Sequence, residues 1–269
     1  MNLEGRIVVV TGAAGGIGGA LVRGLIGRGA RTVVATDLDL AGVEPLREEL
    51  GEDVIARALD VTDEDATRAL IGDVERDAGP IDVFFANAGI ATGSDVDTPD
   101  DVWNRQWDVN LMSHVYAARA LFPGWIERGD GHLVTTASMA GILSSLNDCA
   151  YSATKHAAVG LAEWLAFSHA AEGVRVSCVC PGAVDTAMLR AGAGGDADKA
   201  SAAIGGGDVV SPEQAAETIL RGVEEDRFLI LTHPDMAELV VRKAQDTDRW
   251  IRGMAKLWGR AQALLRGMG

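Results

Sequence analysis

Ile7-Val8-Val9-Val10-Thr11-Gly12-Ala13-Ala14-Gly15-Gly16-Ile17-Gly18 sets the architecture of this chain. The β-branched run at 7–10 suits a strand buried on both faces, and a helical pattern begins directly after the glycines. Gly12, Gly16 and Gly18 let the backbone turn sharply, approach a pyrophosphate and pack the new helix on the sheet. The free N–H groups of the helix N-terminus then face the anion. A glycine-rich loop by itself marks only a tight turn in a chain with 33 glycines. Its place between strand and helix is what raises it towards a dinucleotide-binding loop.

The next apolar run, Thr32-Val33-Val34-Ala35-Thr36, ends at Asp37, about 20 residues past the loop, where a dinucleotide fold places the acid that reads the adenosine ribose. Asp39 would serve equally as a helix cap. Leu38 follows the acid and Gly15 sits inside the loop, so no cation meets a 2′-phosphate, and NAD rather than NADP is expected. Beyond this lie a strand at 54–56, Asp60-Val61-Thr62-Asp63, a helix at about 64–78 and the strand 83–86, closed by Asn87-Ala88-Gly89. One helix over about 99–122 carries Asn110 among Trp103, Trp107, Val109, Leu111 and Val115. An amide amid apolar residues needs partners or costs roughly 1 to 3 kcal/mol. Strands follow at 133–137, ending at Ser138, at 174–179, leading into Pro181-Gly182-Ala183-Val184-Asp185-Thr186, and at 228–231. Ser211 and Pro212 open the helix before the last strand as N-cap and N1. The alternation predicts an α/β, Rossmann-type, doubly wound, seven-stranded parallel sheet flanked by helices.

Tyr151 and Lys155 stand four apart, on one face of a helix and about 6 Å apart along its axis. A phenol titrates near 10, and a cation within a few Å favours the phenolate by roughly 1 to 3 pH units, which suits a general acid/base. Such pairs arise by chance on solvated helices. This one gains weight because Ser138, 13 residues earlier, ends a strand at the same sheet edge as the glycine loop.

The 269 residues, 48% hydrophobic and 23% charged, supply a core for one large α/β domain. A formal charge of −15 argues against nucleic acid and membrane partners. Cys178 and Cys180 share one face of a strand, too far apart for an easy disulfide, and no metal cluster follows from the cysteines. With no signal-peptide pattern after Met1 and no apolar span of membrane length, a cytoplasmic location is expected. Residues 1–233 read as a single catalytic domain, with the Ala-, Gly- and Asp-rich stretch 187–208 as either a cover over the pocket or a disordered loop. Residues 234–269 read as a helical extension of the same domain, with seven basic residues against four acidic. Trp250, Met254, Leu257, Trp258, Ala261, Leu264 and Leu265 recur there at helical steps. That stripe needs a cover, either its own subunit or a second one near the pocket.

Met139, Leu143, Leu146, Cys149, Val184, Met188 and Leu189 are the pocket candidates by position. They suit a small hydrophobic secondary alcohol or ketone, with Arg190 leaving a phosphorylated substrate open.

Together these residues resemble the classical short-chain dehydrogenase/reductase family over roughly residues 3 to 232. The resemblance implies that Asn110, Ser138, Tyr151 and Lys155 form a catalytic tetrad. It also implies that Gly12, Gly16, Ile17 and Gly18 cradle NAD, that Asp37 selects it, and that Asp60 and Val61 contact adenine. Asn87 and Gly89 would be the sheet-edge motif, and Pro181, Gly182, Val184 and Thr186 would hold the nicotinamide carboxamide. Tyr151 would exchange the alcohol proton, Lys155 would lower its pKa and hold the ribose, Ser138 would bond the substrate oxygen, and Asn110 would hold a backbone position or a water. The implied activity is NAD-dependent oxidoreduction of a secondary alcohol/ketone pair by a homo-oligomer, a dimer or tetramer. The sheet-edge motif starts Ala86-Asn87 where Asn-Asn is commoner, and the helical tail replaces a Gly-rich assembly segment. Rival readings are a catalytically silent NAD-binding sensor or scaffold, which usually lacks the Tyr or Lys, an extended-type epimerase, which needs a longer chain, and a methyltransferase, which has no use for Ser138, Tyr151 and Lys155.

Overall fold

Alternate residues of the first strand face opposite layers: Ile7 and Val9 lie in one buried cluster, Val8 and Val10 in the other. That is the signature of a central strand covered by helices on both sides. The structure, a computed structural model, describes residues 1–192 and 208–266. Seven strands form one sheet: β1 (Ile7–Thr11), β2 (Thr32–Asp37), β3 (Val54–Ala58), β4 (Val83–Ala86), β5 (Gly131–Thr136), β6 (Val174–Cys180) and β7 (Leu229–Leu231). Every pairing is parallel, in the order β3-β2-β1-β4-β5-β6-β7. The predicted seven-stranded, doubly wound sheet is therefore the one observed.

Helices α1 (Gly16–Gly27), α2 (Glu44–Leu50) and, after the loop region, the helix Pro212–Glu224 supply one layer's core residues. Helix α3 (Glu64–Asp77) serves the other layer, with α4 (Asp100–Trp107) against α7 (Cys149–His169), and α5 (Ser113–Arg128), the short α6 (Ala140–Leu143) and α7 supplying core residues. Their starts are written locally. Asp63 accepts the Ala66 N–H to cap α3, and Asp39 accepts the Ala41 N–H at a 3-10 turn. Ser211 caps the helix with Pro212 in its first turn, as the sequence predicts, and Gln214 completes a reciprocal capping box.

The long helix expected at about 99–122 differs in two respects. A π turn at Asp108–Met112 separates α4 from α5, adding a residue to the turn that carries Asn110. Asn110 and Leu111 are buried at this turn, while Trp107, at the end of α4 just before it, is 43% exposed. The helix also runs through Pro123 to Arg128. An interior proline costs about 3 kcal/mol. Burial of Leu121, Phe122 and Trp125 exceeds that at roughly 1.5 to 3 kcal/mol each. The Trp125 indole also donates to the Ile81 carbonyl at 2.8 Å.

Helix α8 (Ala187–Gly192) opens the stretch expected to cover the pocket, and residues 193–207 of that stretch lie outside the described residues. Counting Pro212–Glu224 as α9, the tail forms α10 (Met236–Gln245) and α11 (Thr247–Arg266). Met236 is buried, Leu239, Val240 and Trp250 pack on the core, and Lys243 donates to the Ile142 carbonyl at the end of α6. The extension thus docks on its own subunit beside the element that follows Ser138. Met254, Leu257 and Trp258 are half-buried, and the side chains of Ala261, Leu264 and Leu265 lie outside the described residues. No described helix is long and apolar enough to cross a membrane.

Candidate active site

The strand order reverses between β1 and β4, which opens a crevice at the carboxyl ends of the strands. Thr11 closes β1 at its floor. Its hydroxyl donates to the Phe85 carbonyl at 3.2 Å and accepts the N–H groups of Asn87 and Ala88, each at 3.0 Å. The Asn87 amide donates to the Thr11 carbonyl at 3.0 Å and accepts the Thr136 hydroxyl at 3.2 Å. Asn87 thereby fastens the ends of β1, β4 and β5, and its side chain is engaged within the protein.

The glycine loop lies over this floor. Gly12 has φ +66°, and a Cβ there would stand 2.8 Å from the Ala88 Cα. A Cβ on Gly18 would overlap the Gly12 carbonyl, and one on Gly16 would stand 3.0 Å from Thr186 Cγ2. Ile17 packs inward on the core, and no side chain caps α1, so its first-turn N–H groups remain for an anion. A cradle closed to side chains, beneath uncapped N–H groups, fits a dinucleotide pyrophosphate.

Asp37 stands beside the loop, accepting the Ala14 N–H at 3.0 Å and the Leu38 N–H at 2.8 Å. Capping is done by Asp39 instead, which leaves the Asp37 carboxylate against the glycine loop. Leu38 is 64% exposed. Arg23 lines the adjoining cleft with Ala14, Gly15 and Gly16, but its guanidinium is paired with Glu49. The Leu59 N–H bonds the Asp37 carbonyl at 2.7 Å, which sets Asp60 and Val61 next along this edge. Asp60 is exposed, turned onto the Thr62 N–H and hydroxyl, and Val61 is half-buried.

On the other side of the crevice, α7 carries Tyr151 and Lys155 inward. Lys155 is buried, and its Nζ donates to the Thr136 carbonyl at 2.8 Å. Burial pushes the ammonium down to about 8. Burial also pushes the Tyr151 phenol above its ordinary value, with the Ser138 hydroxyl opposing this and the Asp148 carboxylate adding to it. Lys155 is not among the groups that shift the phenol here: its ammonium is moored to Thr136, 5.6 Å from the Tyr151 ring centroid. Ser138 stays at the end of β5, where its Oγ accepts the Ala140 N–H at 3.0 Å.

Asn110 is fully buried and satisfied. Its Oδ1 accepts the Ile90 N–H at 2.9 Å, and its Nδ2 donates to the Ile90 carbonyl at 2.9 Å and to Thr154 Oγ1 at 3.2 Å. Of the two roles expected for it, holding a backbone position is the one its bonds describe. Gly89 leaves room for both partners, since a Cβ there would stand 3.2 Å from Lys155 Nζ and 3.3 Å from Asn110 Oδ1.

The segment after β6 completes the ring. Pro181 accepts the Met139 N–H at 2.9 Å, which ties it to the Ser138 turn. The Gly182 N–H donates to Thr232 Oγ1 at 3.1 Å, Val184 bridges to Val210, and Thr186 accepts the Leu189 N–H at 3.3 Å. The predicted residues thus share one sheet edge.

Sequence reasoning passed over Thr11, Thr136, Gln106 and Asp148. Only Asp148 left a local signal, an N-cap acid three residues before Tyr151. Its carboxylate is buried and accepts the Tyr151 N–H at 3.0 Å.

The family model for short chain dehydrogenase matches residues 6–194. The chain is 38% identical over 242 residues to the 1-deoxy-11-beta-hydroxypentalenate dehydrogenase of Streptomyces avermitilis, covering 87% of each chain. A short chain dehydrogenase/reductase from Burkholderia phymatum, solved in complex with NAD, superposes with TM-score 0.81 at 28% identity, covering 92% of this chain and 96% of that one. A short chain dehydrogenase from Burkholderia cenocepacia, solved with NADP, shares the fold with TM-score 0.80 at 22% identity, covering 94% of this chain and 99% of that one.

Proposed function

The chain belongs to the short chain dehydrogenase family, oxidoreductases acting on CH–OH groups, and from that membership we propose that it interconverts a hydrophobic secondary alcohol and its ketone with NAD(H). The observation that carries the reading is the convergence of Tyr151, Ser138 and Lys155 beside the glycine cradle. NAD, when bound, supplies the hydride acceptor. Tyr151 Oη takes the alcohol proton in the oxidising direction and returns it in the reducing one. Ser138 Oγ holds the substrate oxygen. Lys155, moored to the Thr136 carbonyl beside the crevice, holds the nicotinamide ribose, and its ammonium, pushed down to about 8, exchanges a proton near working pH. Asn110 fixes Ile90, and with it the chain that leaves Gly89.

Asp37 supports NAD over NADP, because its carboxylate stands where a 2′-phosphate would bring like charge and Arg23 is spent on Glu49. Met139, Leu143 and Val184 are buried and apolar, which supports a hydrophobic substrate. Arg190, the cation that left a phosphorylated substrate open, grips Asp185 through two bonds of 2.8 Å. We take the working form to be a homo-oligomer. Trp164 and Phe167 stand edge to face on α7 with 55% and 70% of their surface exposed, an apolar pair that a second copy would cover.

The test is turnover with NAD and a panel of secondary alcohols, for the parent and for Tyr151→Phe. Loss of about 10² to 10⁴ in kcat with unchanged NAD affinity is expected. Turnover of the variant within a few-fold of the parent would overturn the assignment.

A further inference from the structure

Asp148 is 5% exposed and gathers five donors from three parts of the chain. Its Oδ2 accepts the N–H groups of Thr92 and Gly93, each at 2.8 Å. Its Oδ1 accepts the Ser94 hydroxyl, the Gln106 amide at 3.3 Å and the Tyr151 N–H at 3.0 Å. The same segment is stitched back to α7, where the Ala150 N–H reaches Ser94 Oγ at 2.9 Å and the Cys149 N–H reaches the Ser94 carbonyl at 3.0 Å. Gln106 bonds Thr92 as well, at 2.8 Å.

Among the described residues no Lys or Arg forms an ion pair with this carboxylate. Burying a charge without a counter-ion is costly, whereas a neutral Ser or Asn would cap the helix almost as well. The cost is met by the positive end of α7 and by the five donors. A cap alone would use one or two of them. The other bonds reach the stretch that runs on from Ile90, which Asn110 grips from its far end. Tyr151 therefore sits in a frame fastened at two points.

We propose that Asp148 is a positioning residue for the reaction: its carboxylate locks the 92–94 segment and Gln106 onto the first turn of α7 and so fixes the Tyr151 phenol relative to Ser138. The inference rests on the reading of Tyr151 as the proton-transferring group. It also places one negative charge near the phenol, where the other titratable groups are Lys155 on the same helix and Cys180 on β6, with the neutral Ser138 hydroxyl at the end of β5. That charge opposes phenolate formation, so its removal favours the phenolate.

The chain has two tyrosines, Tyr116 and Tyr151, so a Tyr116→Phe background leaves one phenol whose ultraviolet absorbance reports its own ionisation without any substrate. In that background, saturated with NAD, Asp148→Asn removes the charge at constant size, and Asp148→Ser keeps a helix cap that cannot reach Thr92 or Gly93. Asp148→Asn is expected to move the phenolate midpoint to lower pH. Both variants are expected to lower kcat on the best alcohol of the panel by about tenfold or more, since a misplacement of about 1 Å is costly, with NAD affinity kept. Parent kcat in Asp148→Ser, or an unmoved midpoint in Asp148→Asn, overturns the inference. Should the Asp148 variants fail to fold, Ser94→Ala and Gln106→Leu each remove one donor and are expected to lower kcat to a smaller extent; parent kcat in both overturns it equally. Tyr151→Phe separates the two levels. If it is inactive while the Asp148 variants run at the parent rate, only the positioning role falls; if it is active, the reading of Tyr151 falls and takes the positioning role with it.

Discussion

Lys155 Nζ donates to the Thr136 carbonyl at 2.8 Å, which moors the ammonium of the Tyr-Lys pair to the last residue of β5. The bond partly repays its burial, yet the group still sits at about 8 against an ordinary 10.5.

A dependence of stability on pH follows. The folded-state pKa is depressed, so from about 8 up to the ordinary 10.5 the unfolded chain holds a proton on Lys155 that the folded chain has released, while the buried Cys180 thiol, held up by its neighbour Cys178 and by burial, acts with the opposite sign once unfolded thiols titrate, near about 8.5. The Lys155 contribution to stability is expected to grow with pH across that window, read as the difference in slope between parent and variant, in which the thiols cancel. Urea unfolding at several pH values for the parent and for Lys155→Met measures it. The parent slope should exceed that of the variant, and equal slopes in the two proteins would show that Lys155 is charged throughout.

The buried histidines act on the acid side with the same sign. Burial holds both His114 and His132 down to about 3, against 6.5 in the unfolded chain. Below 6.5 the unfolded chain takes up protons that the folded one refuses, so stability falls as pH drops. The carboxylates with depressed values, Asp130 and Asp148 among them, add to this only below about 4.5. The interval from 6.5 to 4.5 therefore reports the histidines. His114→Leu, which also removes two buried ring nitrogens without partners, is expected to flatten the decline seen by urea unfolding. An unaltered slope would mean that His114 is protonated or solvated in the folded chain.

How much of this was legible in the sequence depends on how local each cause is. The β1 run and Gly12, Gly16 and Gly18 announce strand, turn and helix within twelve residues, and the fold follows them. Asn110 was readable as buried because Leu111 and its neighbours are apolar, whereas the π turn that aims it depends on how α4 and α5 pack and leaves no pattern of its own. Trp107, one of the apolar neighbours read around Asn110, is 43% exposed, so apolar neighbours in sequence do not by themselves mark the buried face of this helix. Asp148 was hidden because its partners Thr92, Ser94 and Gln106 lie 42 to 56 residues away. The direction in which Lys155 points likewise depends on a carbonyl 19 residues off, on a different element.

Cofactor choice gives a prediction that needs no substrate. Asp37 presents its carboxylate beside Ala14, and Leu38 offers no cation, so NADP would meet an uncompensated like charge. Direct titration is expected to show NAD binding at least about tenfold tighter, a difference of about 1.4 kcal/mol. Asp37→Ala combined with Leu38→Arg should reduce or reverse that ratio. Equal affinity of the parent for the two cofactors would remove Asp37 from the selecting role.

The tail offers the last test. Helix α10 is anchored on its own subunit through Met236, Leu239, Val240 and the Lys243 bond to Ile142, so its removal would disturb α6 directly. Helix α11 contributes Trp250 to that contact, while Met254, Leu257 and Trp258 remain half-covered. An apolar stripe left part-covered is a place for a second copy, and the basic side of the helix, with Arg252, Lys256 and Arg260, would face a chain whose net charge is −15. Deletion after Thr247 keeps α10 and removes α11. A smaller particle by light scattering is expected, with NAD affinity kept because the glycine cradle is untouched. An oligomer of unchanged size with unchanged turnover would assign α11 to covering Trp250's neighbourhood on its own subunit and nothing more.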